Sequence, residues 1–122
     1  MKKRILIIDD DPTFVEIIRR RLECYRWEVI TCANGKEGLE RATHEKPDLI
    51  LLELDLPVLD GHMILGCLRR DPDLGDIPVI ICTKSNSIKD ITMANSFHVA
   101  GYVTKPFNPL TLAEKIEEVL AS

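Results

Sequence analysis

The sequence lacks an excess of positive charge. Its 16 lysine and arginine residues are outnumbered by 20 aspartate and glutamate residues, and the formal net charge is −4. The only dense basic clusters, at 2–4 and 19–21, are short enough to be ordinary solvated surface. A nucleic-acid-binding domain normally carries a basic patch on a basic background. The charge balance therefore argues against nucleic acid as a partner of this domain.

Long apolar runs and paired cysteines are also missing. The N-terminal apolar run has the length of a strand, which is too short for a signal peptide or a membrane span. None of the four cysteines stands in a Cys-x-x-Cys pair, and no histidine lies at metal-ligand spacing from them. We therefore expect reduced thiols in a cytoplasmic protein that does not interact with a membrane.

The composition that remains is that of one ordinary globular domain. The chain has 122 residues, of which 45% are hydrophobic and 30% are charged. This length is sufficient for one compact domain with a buried core. No segment is low in complexity or resembles an interdomain linker. We therefore expect residues 1–122 to form a single domain.

Short apolar runs alternate with segments of helical periodicity. The runs lie at 5–8, 28–32, 49–52, 79–82 and 102–104. Most are unbroken by polar residues, as in strands covered on both faces of a parallel sheet. Each intervening segment opens at a residue that favours a helix start, and these residues are Pro12, Asn34, Asp60, Ser87 and Asn108. The pattern predicts an α/β fold with a doubly wound, five-stranded parallel sheet.

Polar residues follow the predicted strands. Asp9 and Asp10 come after the first run, Glu53 after the third, Thr83 after the fourth and Lys105 after the fifth. Ligands of doubly wound sheets bind beyond the carboxyl ends of the strands, so we expect these side chains to meet there. Taken alone, the acidic run at 9–11 would equally suit a helix N-terminus, which favours negative charge.

A cluster of carboxylates beside a lysine and a hydroxyl predicts phosphoryl chemistry. Two unit charges about 4 Å apart repel by roughly 4 kcal/mol at an effective dielectric of 20, and a divalent cation relieves that repulsion. Oxygen ligands with room for water suit Mg²⁺. A lysine and a hydroxyl suit a phosphoryl group with charge on three oxygens. The chemistry implied is phosphoryl transfer to a carboxylate.

Four stretches of the chain carry a resemblance to a known family. They are ILIIDDDP, PDLILLELDLPVLDG, PVIICTKS and GYVTKPF, and they occur in that order. Each alone is weak, but together they make the chain resemble the receiver domain of bacterial response regulators along essentially its whole length. The resemblance implies a flavodoxin-like (βα)5 fold with strand order 2-1-3-4-5 and a role in a two-component phosphorelay.

The resemblance also implies a metal site. Asp10 matches the acid that binds Mg²⁺ directly, and Asp9 matches the acid that often acts through water. Asp55 matches the position whose main-chain carbonyl binds the metal. Glu53 is a further possible ligand, so the expected cofactor is Mg²⁺, with binding that Glu53 could weaken.

Four further positions take their roles from the resemblance. Thr83 matches the hydroxyl that contacts the phosphoryl group, and Tyr102 matches the aromatic switch that changes rotamer with it. Lys105 matches the family's site lysine, and its bond to Pro106 resembles the family's cis peptide. Glu53 stands where the family has the aspartate that becomes phosphorylated.

Glu53 is the main departure from the family. Its carboxylate extends one methylene, roughly 1.5 Å, further from the backbone than that of aspartate, and misplacement by about 1 Å can slow a reaction about 10²-fold. Three hypotheses follow. The domain is a pseudo-receiver that signals without phosphorylation, or Glu53 is a constitutive mimic of phospho-aspartate, natural or engineered, or Glu53 or Asp55 still accepts phosphate.

Smaller departures are Lys84 and His98. Lys84 replaces a small residue beside the site, where it either crowds the entry or adds a positive charge. His98 replaces a glycine at the end of the fourth helix, and histidine tolerates a left-handed conformation better than most residues. His44, His62 and His98 show no partner spacing and are interpreted as surface residues.

The expected function is that of a signalling module and not of an enzyme, apart from self-phosphorylation from a phosphodonor. The resemblance implies a sensor histidine kinase or phosphotransfer protein and an output protein or domain as partners. It also implies a possible homodimer through the fourth helix, fifth strand and fifth helix. The alternative from another class is a small Mg²⁺-dependent phosphotransfer or phosphatase enzyme, which would turn over a small phosphoester.

Overall fold

The computed structural model describes residues 2–122. Within them, strands and helices alternate along the chain in the order β1 (Arg4–Ile8), α1 (Pro12–Glu23), β2 (Glu28–Cys32), α2 (Gly35–Glu45), β3 (Leu49–Leu52), α3 (Gly61–Arg70), β4 (Val79–Thr83), α4 (Ile88–Asn95), β5 (Gly101–Thr104) and α5 (Pro109–Ala121). The strands form one parallel sheet in the order β2-β1-β3-β4-β5. The predicted fold class and strand order are confirmed.

Three strands are one residue longer than the apolar runs that predicted them. The added residues are Arg4, Thr83 and Gly101, and each pairs with a residue of the neighbouring strand. Strand limits follow backbone pairing, which a polar side chain or a glycine at the end of a strand does not prevent. The apolar runs therefore identify the buried part of each strand and miss its ends.

The central strands are buried on both faces of the sheet. Successive side chains of a strand point to opposite faces. In β1, Leu6 and Ile8 belong to a core with α2, α3 and α4, whereas Ile5 and Ile7 belong to a second core with α1 and α5. All four residues of β3, at the centre of the sheet, are likewise buried. The two cores hold the strands firmly, so the residues that follow them start from fixed positions.

Side-chain caps begin the helices where the sequence predicts them. Four helices begin at a residue whose side-chain oxygen accepts a hydrogen bond from a main-chain N–H in the first turn. These residues are Asn34, Asp60, Ser87 and Asn108. These bonds satisfy donors that the helix itself leaves without partners. None of the described helices has the length and apolarity that crossing a membrane requires.

Arg69, in the last turn of α3, ties this helix to two neighbouring segments. Its Nε donates to the carbonyl oxygen of Phe97 at 2.7 Å, and its Nη1 donates to those of Gly75 at 3.0 Å and Ile77 at 2.9 Å. Burial lowers the pKa of the Arg69 guanidinium below its usual value. In the turn after α4, His98 has a φ of 58°, which agrees with the expected left-handed conformation.

Candidate functional site

The carboxyl ends of four strands bring the predicted site residues to one edge of the sheet. Asp9 follows β1, Glu53 follows β3, Thr83 ends β4 and Lys105 follows β5. Three of these residues continue the main-chain hydrogen bonding of the sheet beyond the ends of the strands. The N–H of Asp9 donates to Cys32 at 3.0 Å, that of Glu53 to Ile8 at 3.0 Å and that of Lys105 to Thr83 at 2.7 Å. The backbone therefore fixes where each side chain begins.

Asp9, Glu53 and Lys105 form a buried ionic triad. The Nζ of Lys105 lies 2.7 Å from Oδ2 of Asp9 and 3.2 Å from Oε1 of Glu53. The three side chains are at most 9% exposed. Buried charges are stable only when they are paired and hydrogen-bonded, and here one ammonium serves two carboxylates. The triad joins residues from three strands that lie far apart in the sequence.

The second oxygen of Glu53 turns back onto its own loop. Oε2 accepts hydrogen bonds from the main-chain N–H of Leu54 at 2.8 Å and of Asp55 at 3.4 Å. A Cβ at Gly61 would lie 2.5 Å from the carbonyl oxygen of Glu53, so only glycine lets α3 begin this close to the loop. Both oxygens of Glu53 are therefore held by the protein, one by an ammonium and one by amides.

The pKa values of Asp9 and Lys105 reflect the burial of these side chains and their mutual contact. Burial raises the pKa of the Asp9 carboxyl above its usual value, and hydrogen bonds from Lys105 and from the Asp11 N–H offset only part of this effect. For Lys105, burial alone would lower the pKa. The hydrogen bond and negative charge of Asp9, together with the charge of Glu53, outweigh burial and raise the pKa of Lys105 above its usual value. Lys105 is therefore held as a cation.

Phe14 of α1 completes the surroundings of Lys105. The Nζ of Lys105 lies 3.9 Å from the centre of the Phe14 ring, a distance at which the face of the ring attracts a cation. The edge of Phe107 meets Phe14, with ring centres 5.8 Å apart and planes at 80°. Phe14 was not predicted from the sequence as a site residue, because its spacing in the helix carries no signal of a charged neighbour.

The acidic run at 9–11 divides into separate tasks. Asp11 caps α1, and its Oδ1 accepts from the N–H groups of Thr13 at 3.0 Å and Phe14 at 3.3 Å. Asp9 pairs with Lys105, and its Oδ1 accepts from the N–H of Asp11 at 2.9 Å. Asp10 is exposed beside them. Both interpretations of the run, a helix cap and a site, therefore apply, but to different residues.

The oxygen donors predicted to hold a magnesium ion are of the chemical type that this ion takes together with water. Within residues 2–122, no three His, Cys, Asp or Glu side chains are placed as a group that could hold a metal ion. Asp10, Glu53 and the carbonyl of Asp55 nonetheless supply the hard oxygen donors that Mg²⁺ takes while retaining several waters. Asp9, Asp10 and Glu53 carry three formal negative charges against the one positive charge of Lys105, and a divalent cation would neutralise the difference.

Thr83 and Tyr102 form a second group beside the triad. Thr83 is 2% exposed, and its Oγ1 accepts from the N–H of Ser85 at a long 3.5 Å. In the part of the chain that the structure describes, no hydrogen bond joins Thr83 to Glu53. The hydroxyl of Tyr102 donates to the carbonyl oxygen of Ser85 at 2.8 Å, and burial raises the pKa of Tyr102. Tyr102 is thus attached to the turn between β4 and α4.

A strained turn lies in the loop between β3 and α3. The N–H of Leu59 donates to the carbonyl oxygen of Pro57 at 2.8 Å, which closes a three-residue γ-turn around Val58. The φ of Val58 is 70°, and the γ-turn with positive φ is the rare and strained form. Branching at Cβ makes a positive φ still less favourable. Strain is therefore stored in the loop that carries Glu53.

Lys84 lies beside the triad at the edge of a cavity. The cavity has a volume of about 580 Å³ between α1 and the start of α5, and Lys84 and Lys105 line it together with Phe14, Ile17 and Phe107. Of the two roles expected for Lys84, a second positive charge near the site agrees with this position.

His62, interpreted from the sequence as a surface residue, is partly buried and has a partner on another helix. Its Nε2 lies 3.1 Å from Oδ1 of Asp90, and its side chain is 20% exposed. His62 is on α3 and Asp90 on α4, so no spacing within either helix could reveal the contact. His44, by comparison, is exposed as expected.

Comparison with known families identifies a match over most of the chain. Residues 5–117 match the family model described as the response regulator receiver domain. Protein PilH of Pseudomonas aeruginosa is 36% identical over 118 residues, which cover 97% of this chain and 98% of PilH. The alkaline phosphatase synthesis transcriptional regulatory protein PhoP of Bacillus subtilis is 33% identical over 120 residues, which cover 98% of this chain and 49% of PhoP.

The curated relatives differ in length, and a solved structure agrees with the fold. The chain spans about half the length of PhoP and of the matching transcriptional regulators RpaA and ycf27. A CheY-like response regulator receiver domain protein from Methanospirillum hungatei superposes with a TM-score of 0.93 at 30% identity, covering 99% of this chain and 95% of that one.

Proposed function

Because the chain belongs to the response regulator receiver domain family, we propose that it is a two-component signalling module in which Glu53 supplies the charge that phosphorylation supplies elsewhere. Receiver domains are signalling modules that interact with histidine kinases and output domains. Of the three hypotheses for Glu53, the geometry favours the constitutive mimic. The domain would hold its signalling conformation without a phosphodonor.

The contact between Glu53 and Lys105 carries this proposal. A phosphorylated aspartate would present anionic oxygens beyond the position of an aspartate carboxylate, and the extra methylene of Glu53 carries its carboxylate in the same direction. One of its oxygens lies 3.2 Å from Nζ of Lys105, within reach of a charge-assisted hydrogen bond. The hydroxyl of Tyr102 is held on Ser85 at the same time. Both contacts support a site that is already engaged.

For the remaining site residues we propose the roles that the family resemblance implies. Asp10, Glu53 and the main-chain carbonyl of Asp55 would hold Mg²⁺, and Asp9, whose oxygens accept from Lys105 and the Asp11 amide, would act through water. The ion would neutralise charge at the pocket. Thr83 would contact a phosphoryl group in a variant able to accept one.

The partners and context proposed for the domain follow the family. They are a sensor histidine kinase or phosphotransfer protein, an output protein or domain, and a second copy bound through α4, β5 and α5. We propose that residues 1–122 form one domain, because the family model covers 5–117 and both cores share one sheet. The cytoplasmic location stays a prediction. The comparisons give no support to the alternative of a small phosphatase.

The first experiment tests phosphorylation at position 53. Wild type, Glu53→Asp and Glu53→Gln are incubated with acetyl phosphate and Mg²⁺, and intact mass is followed over time. We expect Glu53→Asp to gain one phosphoryl group, because the rest of the pocket is present, and wild type and Glu53→Gln to gain none. A stable phosphoryl group on wild type, mapped to Glu53 or Asp55, would contradict the proposal and restore the third hypothesis.

The second experiment separates a mimic from a pseudo-receiver. Amide NMR spectra of wild type are compared with those of Glu53→Asp before and after phosphorylation. A mimic predicts that the signals of Thr83, Ser85 and Tyr102 in wild type match the phosphorylated variant. If they match the unphosphorylated variant instead, Glu53 does not imitate the phosphoryl group.

A further inference from the structure

A hydrogen-bonded network lies beyond the triad and joins α3 to α4. The carboxylate of Asp90, in the first turn of α4, accepts from the hydroxyl of Ser85 at 2.5 Å through Oδ2. Its other oxygen, Oδ1, lies 3.1 Å from Nε2 of His62 on α3. We call Ser85, Asp90 and His62 the latch. Its members are 28 residues apart at the extremes, yet one carboxylate holds both of the others.

Burial fixes the direction of the bond between His62 and Asp90. The Nδ1 of His62 is buried and has no partner among the described residues. A buried N–H without an acceptor is costly, so in the neutral ring the hydrogen belongs on Nε2, where it donates to Asp90. The hydrogen bonds from Ser85 and His62 lower the pKa of the Asp90 carboxyl. Asp90 is therefore an anion with two donors directed at it.

The latch is connected to Tyr102 through a single residue. Ser85 donates its hydroxyl to Asp90, and its main-chain carbonyl accepts the hydroxyl of Tyr102 at 2.8 Å. The main-chain N–H of Ser87, which caps α4, donates a long hydrogen bond to the Ser85 hydroxyl oxygen at 3.4 Å. The orientation of the Ser85 peptide thus depends on contacts made by its own side chain. Residues of α3 and α4 therefore stabilise the position of the Ser85 carbonyl oxygen, which accepts the hydrogen bond from Tyr102.

We propose that Asp90 and His62 are positioning residues for Tyr102. By anchoring the Ser85 side chain, they aim its carbonyl at the hydroxyl of Tyr102 and keep the ring on the turn between β4 and α4. In the described part of the chain, no hydrogen bond or salt bridge joins a latch residue to Glu53, Asp9 or Lys105. The position of Tyr102 is therefore controlled from the contact between α3 and α4 as well as from the triad.

The test observes Tyr102 directly by ¹⁹F NMR after 3-fluorotyrosine is incorporated. The chain has two tyrosines, and the variant Tyr25→Phe assigns the two signals. We expect Asp90→Ala and Ser85→Ala each to move the Tyr102 signal toward a solvent-exposed position, with a larger shift between H₂O and D₂O. Loss of one net hydrogen bond changes the ratio of the ring bound to Ser85 to the ring released from it roughly twofold to tenfold.

Coupling within the latch distinguishes it from general loosening. Because Asp90 acts through Ser85, the double variant Ser85→Ala/Asp90→Ala should shift the Tyr102 signal no further than either single variant. His62→Gln, which can still present a donor, should retain more of the wild-type signal than His62→Leu. Lys89→Ala, an exposed change in the same turn of α4, should leave the signal where it is.

Several results would overturn the proposal. One is an unchanged Tyr102 signal in a folded Asp90→Ala protein, and another is a double variant whose shift is the sum of the two single shifts. If Asp90→Ala does not fold, Asp90→Asn, which keeps one acceptor, must shift the Tyr102 signal in the same direction as Ser85→Ala and by a smaller amount. A Tyr102 signal that moves equally in Lys89→Ala would also count against a specific role. None of these results depends on whether Glu53 mimics a phosphoryl group.

Discussion

Replacing Val58 by glycine should make the protein more stable. Val58 is the central residue of the γ-turn closed by Pro57 and Leu59, its φ is 70°, and it is 86% exposed. Residues held in such sparsely populated backbone conformations cost about 1–3 kcal/mol each. Glycine adopts a positive φ without this cost. Because the valine side chain is almost entirely in solvent, its removal sacrifices little buried apolar surface.

The net gain follows from two opposing terms. Glycine also increases the conformational entropy of the unfolded chain, which lowers stability by roughly 0.5–1 kcal/mol. Against relief of about 1–3 kcal/mol, we expect the free energy of unfolding of Val58→Gly to rise by about 1 kcal/mol. For a domain of this size, that corresponds to an increase in Tm of about 3–5 °C.

Thermal and urea unfolding followed by circular dichroism would measure the effect. The urea midpoint should rise while the slope m stays constant, because the surface exposed on unfolding is the same. Val58→Thr is the matched control, since threonine keeps the branched Cβ and should change the free energy of unfolding by less than about 0.5 kcal/mol. A Val58→Gly protein no more stable than wild type, or a Val58→Thr protein that gains as much, would refute the assignment of strain to this turn.

Two further predictions concern burial. Arg69→Met should lower the free energy of unfolding by about 2–3 kcal/mol, because three main-chain carbonyls lose a charged donor. As a control, replacing the exposed Arg70 by methionine should change the free energy of unfolding by less than about 0.5 kcal/mol. Similar urea midpoints for the two variants would contradict this prediction. In native protein at pH 8, Ellman's reagent should react rapidly with the exposed Cys24 and not with Cys32 or Cys82. Burial raises the pKa of Cys32 to about 11 and raises that of Cys82 as well, so rapid labelling of either in folded protein, mapped by peptide mass, would show that the core opens.

The sequence predicted the fold and the backbone of the site for physical reasons. Unbroken apolar runs are required of strands covered on both faces, and caps mark where helices begin, so the order of elements followed from local patterns. Parallel strands align their carboxyl ends at one edge of the sheet. This rule alone predicted that the residues following the strands lie together there, and these residues are Asp9, Glu53, Thr83 and Lys105. The limits of the strands depend on pairing with strands that lie far apart in the sequence, and three of the predicted strands were one residue short.

Contacts made by side chains from different elements were not predictable. Lys105 and Asp9 are 96 residues apart, and their ion pair depends on rotamers that no local pattern determines. The same holds for Phe14 against Lys105 and for His62 against Asp90. In each case the two partners come from different parts of the chain.

The double burial of the central strands has a consequence for how this protein can change over generations. Every side chain of β3 and β4 is buried, and truncating a buried aliphatic residue to alanine typically removes about 2–5 kcal/mol of stability. Such strands leave almost no position where a substitution is harmless. Substitutions are tolerated more easily where the strands end, and position 53 lies at such a place, one residue beyond β3. An exchange of one acid for another there can redirect what the domain responds to while every strand of the scaffold stays as it was.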